Sequence, residues 1–335
     1  MSTGTETTTE GRGLFGRLRA SPFLSELLQN RIAVAGLVII ATMVVVAVYS
    51  RIQMILLAAP EGGLTSFQTL LNAISAESSP VQGSRLGRGI EDRAPPGWLG
   101  PAPVDQQLFG TDQQARDIYR RTMYGAWLAL KWGTITVGLS TVAGVGLGIV
   151  AAYYGDVTDN VIMRTMDVLL AFPSLLLALA LVAIFPEDLG LIRAVAALTL
   201  VYTPRFARVV RGAALKVLED EYIDATVALG AADPRVLVRH ILPNCLAPIT
   251  VQSTLNFGLA IIDLAALSFL GFGAQAGTPS WGLMLSNGVE FGLLSGRWWM
   301  SFFPGLFLAV TVLGFNLLGD GMRDALDPRM REAID

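Results

Sequence analysis

Of 335 residues, 53% are hydrophobic and only 15% charged, a balance too apolar for an ordinary soluble domain, and the net charge of −3 averages over compartments and so points to no partner. A single histidine (His240) and a single cysteine (Cys245) exclude an intrachain disulfide, a multi-histidine metal set and a hydrolytic triad. Neither lysine, Lys131 or Lys216, follows a glycine, so the chain holds no G-x-x-x-x-G-K phosphate loop.

We therefore expect no catalytic residue, no metal site and no cofactor, and not an enzyme. If ATP drives this protein, another polypeptide hydrolyses it. The apolar residues fall in long blocks nearly free of charge. A span needs about 20 such residues to cross a hydrocarbon core about 30 Å thick, and inside it the backbone bonds to itself as helix. Strand-period alternation is absent. The fold class is all-α, a polytopic membrane protein with six transmembrane helices.

In chain order, residues 1–31 are an N-terminal tail that begins Ser/Thr/Gly/Glu-rich. Its second half interleaves Leu14, Phe15, Leu18, Phe23, Leu24, Leu27 and Leu28 with Arg12, Arg17 and Arg19, a pattern for an amphipathic helix on the membrane surface. Residues 32–51 form the first transmembrane helix, a retained anchor with no small-residue cleavage site behind it. Residues 52–127, with Pro80, Pro95, Pro96, Pro101 and Pro103, are an external segment too polar to span.

A five-helix core follows over 128–319, with apolar blocks near 128–153, 166–185, 191–209, 246–270 and 301–318. Between them lie a long loop, 213–244, and an outer, partly re-entrant loop, 271–300, and the chain closes with a tail at 320–335. With six spans, Arg31, Arg164, Arg205, Arg208, Arg211, Lys216, Arg235, Arg239 and Arg323 all fall on one side of the membrane. The positive-inside bias makes that side cytoplasmic, with both termini there. Arg116, Arg120 and Arg121 fall opposite, in a segment too long for the bias to act on strongly.

The loop at 213–244 carries the sharpest pattern. Glu219, Asp220, Glu221 and Asp224 crowd the first turn of a short helix, and Gly230 suits the left-handed position after its end. Asp233 can cap a second helix with Pro234 in its first turn, and Pro243 closes that helix. Tyr222, Ala225, Thr226 and Leu229 share one face. Such a helix fits a groove in a partner, or lies on lipid; the residues by themselves leave both readings open.

The spacing Asp224-Ala225-Thr226, Gly230, then His240-Ile241-Leu242-Pro243-Asn244 resembles the E-A-A…G…L-P loop of ABC importer permeases, with Asp for Glu and Thr for the second Ala. Phe109-Gly110-Thr111-Asp112 followed by Arg116-Asp117 resembles the F-G-T-D-x-x-G-R-D opening of the dipeptide/oligopeptide/nickel permeases, in the second of their two paired subunits, with Ala115 in place of the usual Gly. Further blocks agree: Phe172-Pro173, Leu267 to Gly273, Ser280-Trp281-Gly282, Phe303-Pro304-Gly305, and Asn316 to Gly321.

The resemblance covers roughly residues 31–331 and implies the type I ABC importer permease fold. It implies a coupling helix that sits in an ATPase, with Tyr222, Asp224, Ala225, Thr226, Leu229, Gly230, His240, Leu242 and Pro243 as the coupling-loop residues. The implied partners are a second homologous permease, two ABC ATPase subunits, an extracytoplasmic substrate-binding protein and the lipid bilayer, with no nucleic acid. Peptides are the implied substrate, with nickel and short oligosaccharides open. The alternative is an ion-coupled secondary transporter, which would want buried acids in broken helices and an inverted repeat, and no repeat is visible.

Polar groups inside the spans complete the reading. Asp167 and Asp263 would cost about 2.5–3.5 kcal/mol each at mid-membrane. Asp263, Asn256 and Asn316 are candidates to line a translocation path, with interhelical hydrogen bonding as the competing role. Asp167 is expected to hold such a bond or to stay near water. Gly144 and Gly148 make a small-residue stripe for helix packing, within this subunit or against a second one. Pro173 should kink the third span. Trp281, Trp298 and Trp299 suit either an interfacial belt or a seat for a binding protein. His240 is expected to hydrogen-bond at a helix end, and Cys245 to pack.

Overall fold

A computed structural model describes residues 27–58, 96, 108–186 and 189–326. The predicted surface segment up to residue 26, nearly all of 59–107 and the tail from 327 lie outside them. Among the described residues the secondary structure is helical, and the one strand-like pairing is an isolated bridge between Thr111 and Asp117.

The elements are α1 (Arg31–Ala58), α2 (Ile118–Tyr154), α3 (Asp156–Leu170), α4 (Ser174–Ile184), α5 (Leu191–Leu218), α6 (Glu221–Ala228), α7 (Asp233–Val236), a π turn (Leu237–Ile241), α8 (Leu242–Asn244), α9 (Leu246–Phe269), α10 (Trp281–Phe291) and α11 (Trp299–Leu326). By length and composition α1, α2, α9 and α11 can each cross a membrane, and α3 with α4 add a fifth if that bent pair is one span.

The third predicted span needs correction. Residues 166–185 are not one helix but the end of α3 and all of α4, meeting at 97°. Pro173 has no N–H to donate and its ring forces Phe172 out of helical backbone, so the ladder stops there. At 11 residues α4 reaches only about 16 Å, too short to cross alone.

The fourth predicted span, α5, is long enough at about 42 Å but carries four arginines and one lysine. Two of its charges are paired with acids on α3. Arg211 makes two bonds of 2.5 Å to the carboxylate of Asp159, and Arg208 one of 2.6 Å to Asp167, both on α3. Asp167 is thus held by an interhelical bond, as expected. Enclosed by α2, α3, α4 and α9, α5 is the axis of the bundle, and the six-span reading rests on four apolar helices, one broken pair and this charged one.

Helix α2 passes α5 at very short range because Gly144 and Gly148 leave no side chain between them. A Cβ on Gly144 would lie 2.4 Å from Phe206 Cβ, and one on Gly148 would lie 2.6 Å from the Ala207 carbonyl oxygen. The stripe therefore serves packing inside this chain. The core continues around Leu198, Tyr202 and Phe206 of α5, with Ala178 and Val182 of α4 and Ala260, Leu264 and Leu267 of α9. On the far side α1 lies against α11, where Gly36 approaches the backbone at Gly314 and Leu318.

Several spans outrun their predicted bounds. α2 starts at Ile118, so the last ten residues assigned to the external segment belong to its first turns. α1 continues to Ala58, and Arg51 inside it donates to the Tyr124 hydroxyl at 3.0 Å.

Candidate docking loop and buried polar face

Two ends of the bundle carry the predicted motifs. At one, residues 219–244 fold as a compact projection. Asp220 precedes α6, and Glu221 and Asp224 occupy its first turn, where the helix dipole favours acid. Its end is a Schellman closure: Gly230 N–H donates to the Val227 carbonyl at 2.9 Å and Ala231 N–H to the Thr226 carbonyl at 3.3 Å. That closure needs a left-handed residue, and Gly230 supplies φ +82° with open space around its Cα.

The buried face of α6 is narrower than the sequence suggests. Ile223 alone is enclosed, packed among Val210, Ala214 and Val217 of α5, Ile149 and Ala152 of α2, and Ile241, Cys245 and Ile249. Tyr222, Asp224, Ala225 and Leu229 face outward, with Leu229 89% exposed at the tip. The loop therefore stands on three spans at once while its predicted contact face stays free.

Two polar clamps hold it. The Asn244 amide donates to the Tyr222 hydroxyl at 3.0 Å and to the His240 carbonyl at 2.7 Å, tying α6 to the base of the loop. The Tyr153 and Tyr154 hydroxyls both donate to Asp233, at 3.0 and 3.2 Å. This corrects the expected cap: Ala232 stands at the N-cap of α7 without a side-chain bond, because the carboxylate of Asp233 is taken up by the two phenols.

Pro243 does not close a helix either. The chain runs on through the π turn and α8, and α9 begins at Leu246, one residue past Cys245. The wider turn at 237–241 leaves room for the proline ring against the preceding carbonyls. His240 contributes its backbone carbonyl, Leu242 is half-buried, and Cys245 is fully enclosed, where burial pushes its thiol up from its ordinary value.

At the opposite end, Phe109 to Asp117 form a tight turn organised by Asp112. Its carboxylate accepts the backbone N–H groups of Gln114 and Arg116 at 2.9 and 3.0 Å and the Arg116 guanidinium at 2.7 Å. Ala115 sits in this turn at φ +56°, the position where the resembled motif has Gly. Asp117 caps α2 by accepting from Tyr119 N–H, and burial raises its carboxyl despite that bond and the nearby Arg120.

The turn is fastened across the bundle. Arg121 donates to the Gly277 carbonyl at 3.1 Å, Trp299 to the Thr111 carbonyl at 3.3 Å and Trp281 to the Thr122 carbonyl at 2.9 Å. Trp281 and Trp299 are 3% and 7% exposed, so they are neither an interfacial belt nor a free seat; Trp298 alone of the three reaches the surface.

The predicted path residues do not converge on one point. Asn256 is buried on α9 and accepts from Gln252 at 3.1 Å. Asn316, exposed on α11, brings its side-chain oxygen against Gly258. Asp263, two turns beyond Asn256, is half-buried and accepts from the Tyr202 hydroxyl at 2.7 Å. Sequence reasoning missed Tyr202 and Arg205, whose guanidinium lies 5.1 Å from the Tyr202 ring centroid. It also missed the clamps made by Asn244, Tyr153 and Tyr154. The adjacent tyrosines at the end of an apolar block were the available signal for the second.

Comparison with known proteins bears on these features. Residues 144–332 match the family of binding-protein-dependent transport system inner membrane components. A dipeptide transport system permease protein of Alkalihalophilus pseudofirmus is 40% identical over 306 residues, covering 91% of this chain and 88% of that protein. A di/tripeptide transport system permease protein of Pseudomonas aeruginosa is 43% identical over 239 residues, 71% of this chain and 77% of the relative. The dipeptide transport system permease protein of Escherichia coli K12 is 44% identical over 239 residues, 71% and 78%. The chain belongs to the family of binding-protein-dependent transport system inner membrane components, as a multi-pass membrane permease subunit.

Proposed function

We propose, from that membership and the loop geometry, that this subunit forms half of the pathway of an ATP-driven importer for di- and oligopeptides. Its companions in this reading are a second homologous permease, two ABC ATPase subunits and an extracytoplasmic binding protein that delivers substrate. The relatives named for dipeptide and di/tripeptide transport support the peptide class.

The observation that carries the coupling role is the seating of α6. Its outward residues are exposed, while Ile223 belongs to a buried cluster drawn from α2, α5 and the start of α9. A dense cluster of this kind moves as a body rather than deforming. A partner that grips the Leu229–Gly230 tip would therefore shift three spans together, the rigid-body motion that alternating access needs. Tyr222, Asp224, Ala225, Thr226 and Leu229 make the contact, Gly230 sets the turn, and His240, Leu242 and Pro243 support it from the base. The arginines clustered at this end support a cytoplasmic position for the loop and both termini.

Reconstitution of the five-component complex in proteoliposomes tests the proposal. Dipeptide uptake should require ATP and should stimulate its hydrolysis. Uptake that persists without ATP and stops when an ion gradient collapses would overturn it in favour of a secondary transporter.

A further inference from the structure

Asp263 is the one charged residue of α9, and it lies six residues from the helix end at Phe269, about 9 Å along the axis. Burial of such a group is costly wherever the protein meets hydrocarbon, so a retained carboxylate faces protein or a water-filled cavity. Its flanking neighbours, Leu259 and Ile262, are 42% and 41% exposed, so this chain leaves that face of α9 open. An acidic side chain at the edge of such a face fits a wet passage shared with a companion permease better than it fits lipid.

The carboxylate is held but not used up. Tyr202 is its one hydrogen-bond partner among the described residues, donating to Oδ2 at 2.7 Å. The phenol fixes the orientation of the carboxylate and leaves Oδ1 for another donor. Arg205 lies over the Tyr202 ring rather than on the carboxylate, with its guanidinium carbon 5.1 Å from the ring centroid. It weakens the local negative field without closing an ion pair.

We propose that Asp263, oriented by Tyr202, is a transient station for the α-ammonium group of a peptide in passage. This deepens the peptide-importer reading and rests on it. An ammonium presents three donors to an acceptor-only carboxylate, whereas an N-acylated terminus is neutral and offers a single weak donor. The moderated field suits transport, where a site must attract its cargo and still release it.

The test uses the complete importer in proteoliposomes, with a dipeptide and its N-acetyl derivative, each saturating the binding protein. The wild-type complex should move the free dipeptide faster by about fivefold, the worth of one ion pair in a wet site. Asp263→Asn should bring the two rates together by slowing only the free dipeptide, and Asp263→Glu should restore the preference.

Equal wild-type rates, or an Asp263→Asn complex that slows both substrates equally, would overturn the station. If Asp263→Asn does not assemble, Tyr202→Phe decides, because it keeps the carboxylate and removes its orienting hydroxyl. The rate ratio must then fall, and an unchanged ratio overturns the proposal. Loss of ATP dependence in the wild-type complex would instead sink the importer reading itself.

Discussion

Tyr222 and Asn244, 22 residues apart in sequence, meet at 3.0 Å between phenol oxygen and amide nitrogen, and the same amide reaches the His240 carbonyl at 2.7 Å. This bridge joins the projecting helix α6 to the turn that leads into α9. Because it is exposed, its net worth is small, about 0.5–1.5 kcal/mol. Tyr222→Phe should therefore leave the subunit folded and in the membrane while loosening α6. Deuterium exchange of the backbone amides in 221–230 should rise severalfold in the variant, with α2 and α5 unchanged. No change in exchange would mean that Ile223 alone holds the helix.

The two ion pairs between α3 and α5 should differ in strength. Arg211–Asp159 is bidentate and half-buried, whereas Arg208–Asp167 is single-contact with both side chains about half exposed. Paired alanine substitutions in a double-mutant cycle, read by thermal unfolding in detergent, should give a coupling of about 1–2 kcal/mol for the first pair. The second should give about 0.2–1 kcal/mol and shrink further in 0.5 M salt. Equal couplings would show that the bidentate geometry carries no advantage here.

Ala115 occupies a backbone conformation that favours glycine, at φ +56° inside the Asp112 turn. A left-handed L-residue costs about 1–2 kcal/mol, while glycine returns about 0.4–1 kcal/mol through its freer unfolded chain. Ala115→Gly should thus stabilise the subunit by up to about 1.5 kcal/mol, seen as a small rise in melting temperature. Ala115→Val should lower it. A fall in stability on placing glycine there would show that the methyl group packs usefully.

Much of this architecture was legible in the sequence because hydrocarbon thickness and helix geometry leave few alternatives. The apolar blocks, the Gly144–Gly148 stripe, a bend at Pro173 and the left-handed Gly230 each follow from a local constraint, although the bend proved to be a full break. What failed were inferences that depend on neighbours far away in the chain. Asp233 had the spacing of a cap, but Tyr153 and Tyr154 reach it from 80 and 79 residues away. Pro243 looked like a stop, yet a π turn lets the helix continue past it. The tryptophans of 271–300 had the composition of an interfacial belt, but two of them donate to carbonyls at the start of α2 and just before it. The loop residues were proposed from the resemblance of their spacing to a known motif, while the partner of Asp263 had no such signal, since Tyr202 lies on another helix.

The most direct test of the coupling role compares two substitutions at Gly230. Both Gly230→Ala and Gly230→Trp meet backbone strain at φ +82°, and a Cβ there meets nothing within 4 Å in this chain. The alanine change therefore measures the strain, and the tryptophan change adds bulk at the exposed tip where a docked partner would meet it. Co-purification of the ATPase subunits and ATP-dependent dipeptide uptake should largely survive the alanine change and fall at least tenfold with tryptophan. Equal retention of ATPase and uptake in both variants would contradict the docking of this loop on an ATPase.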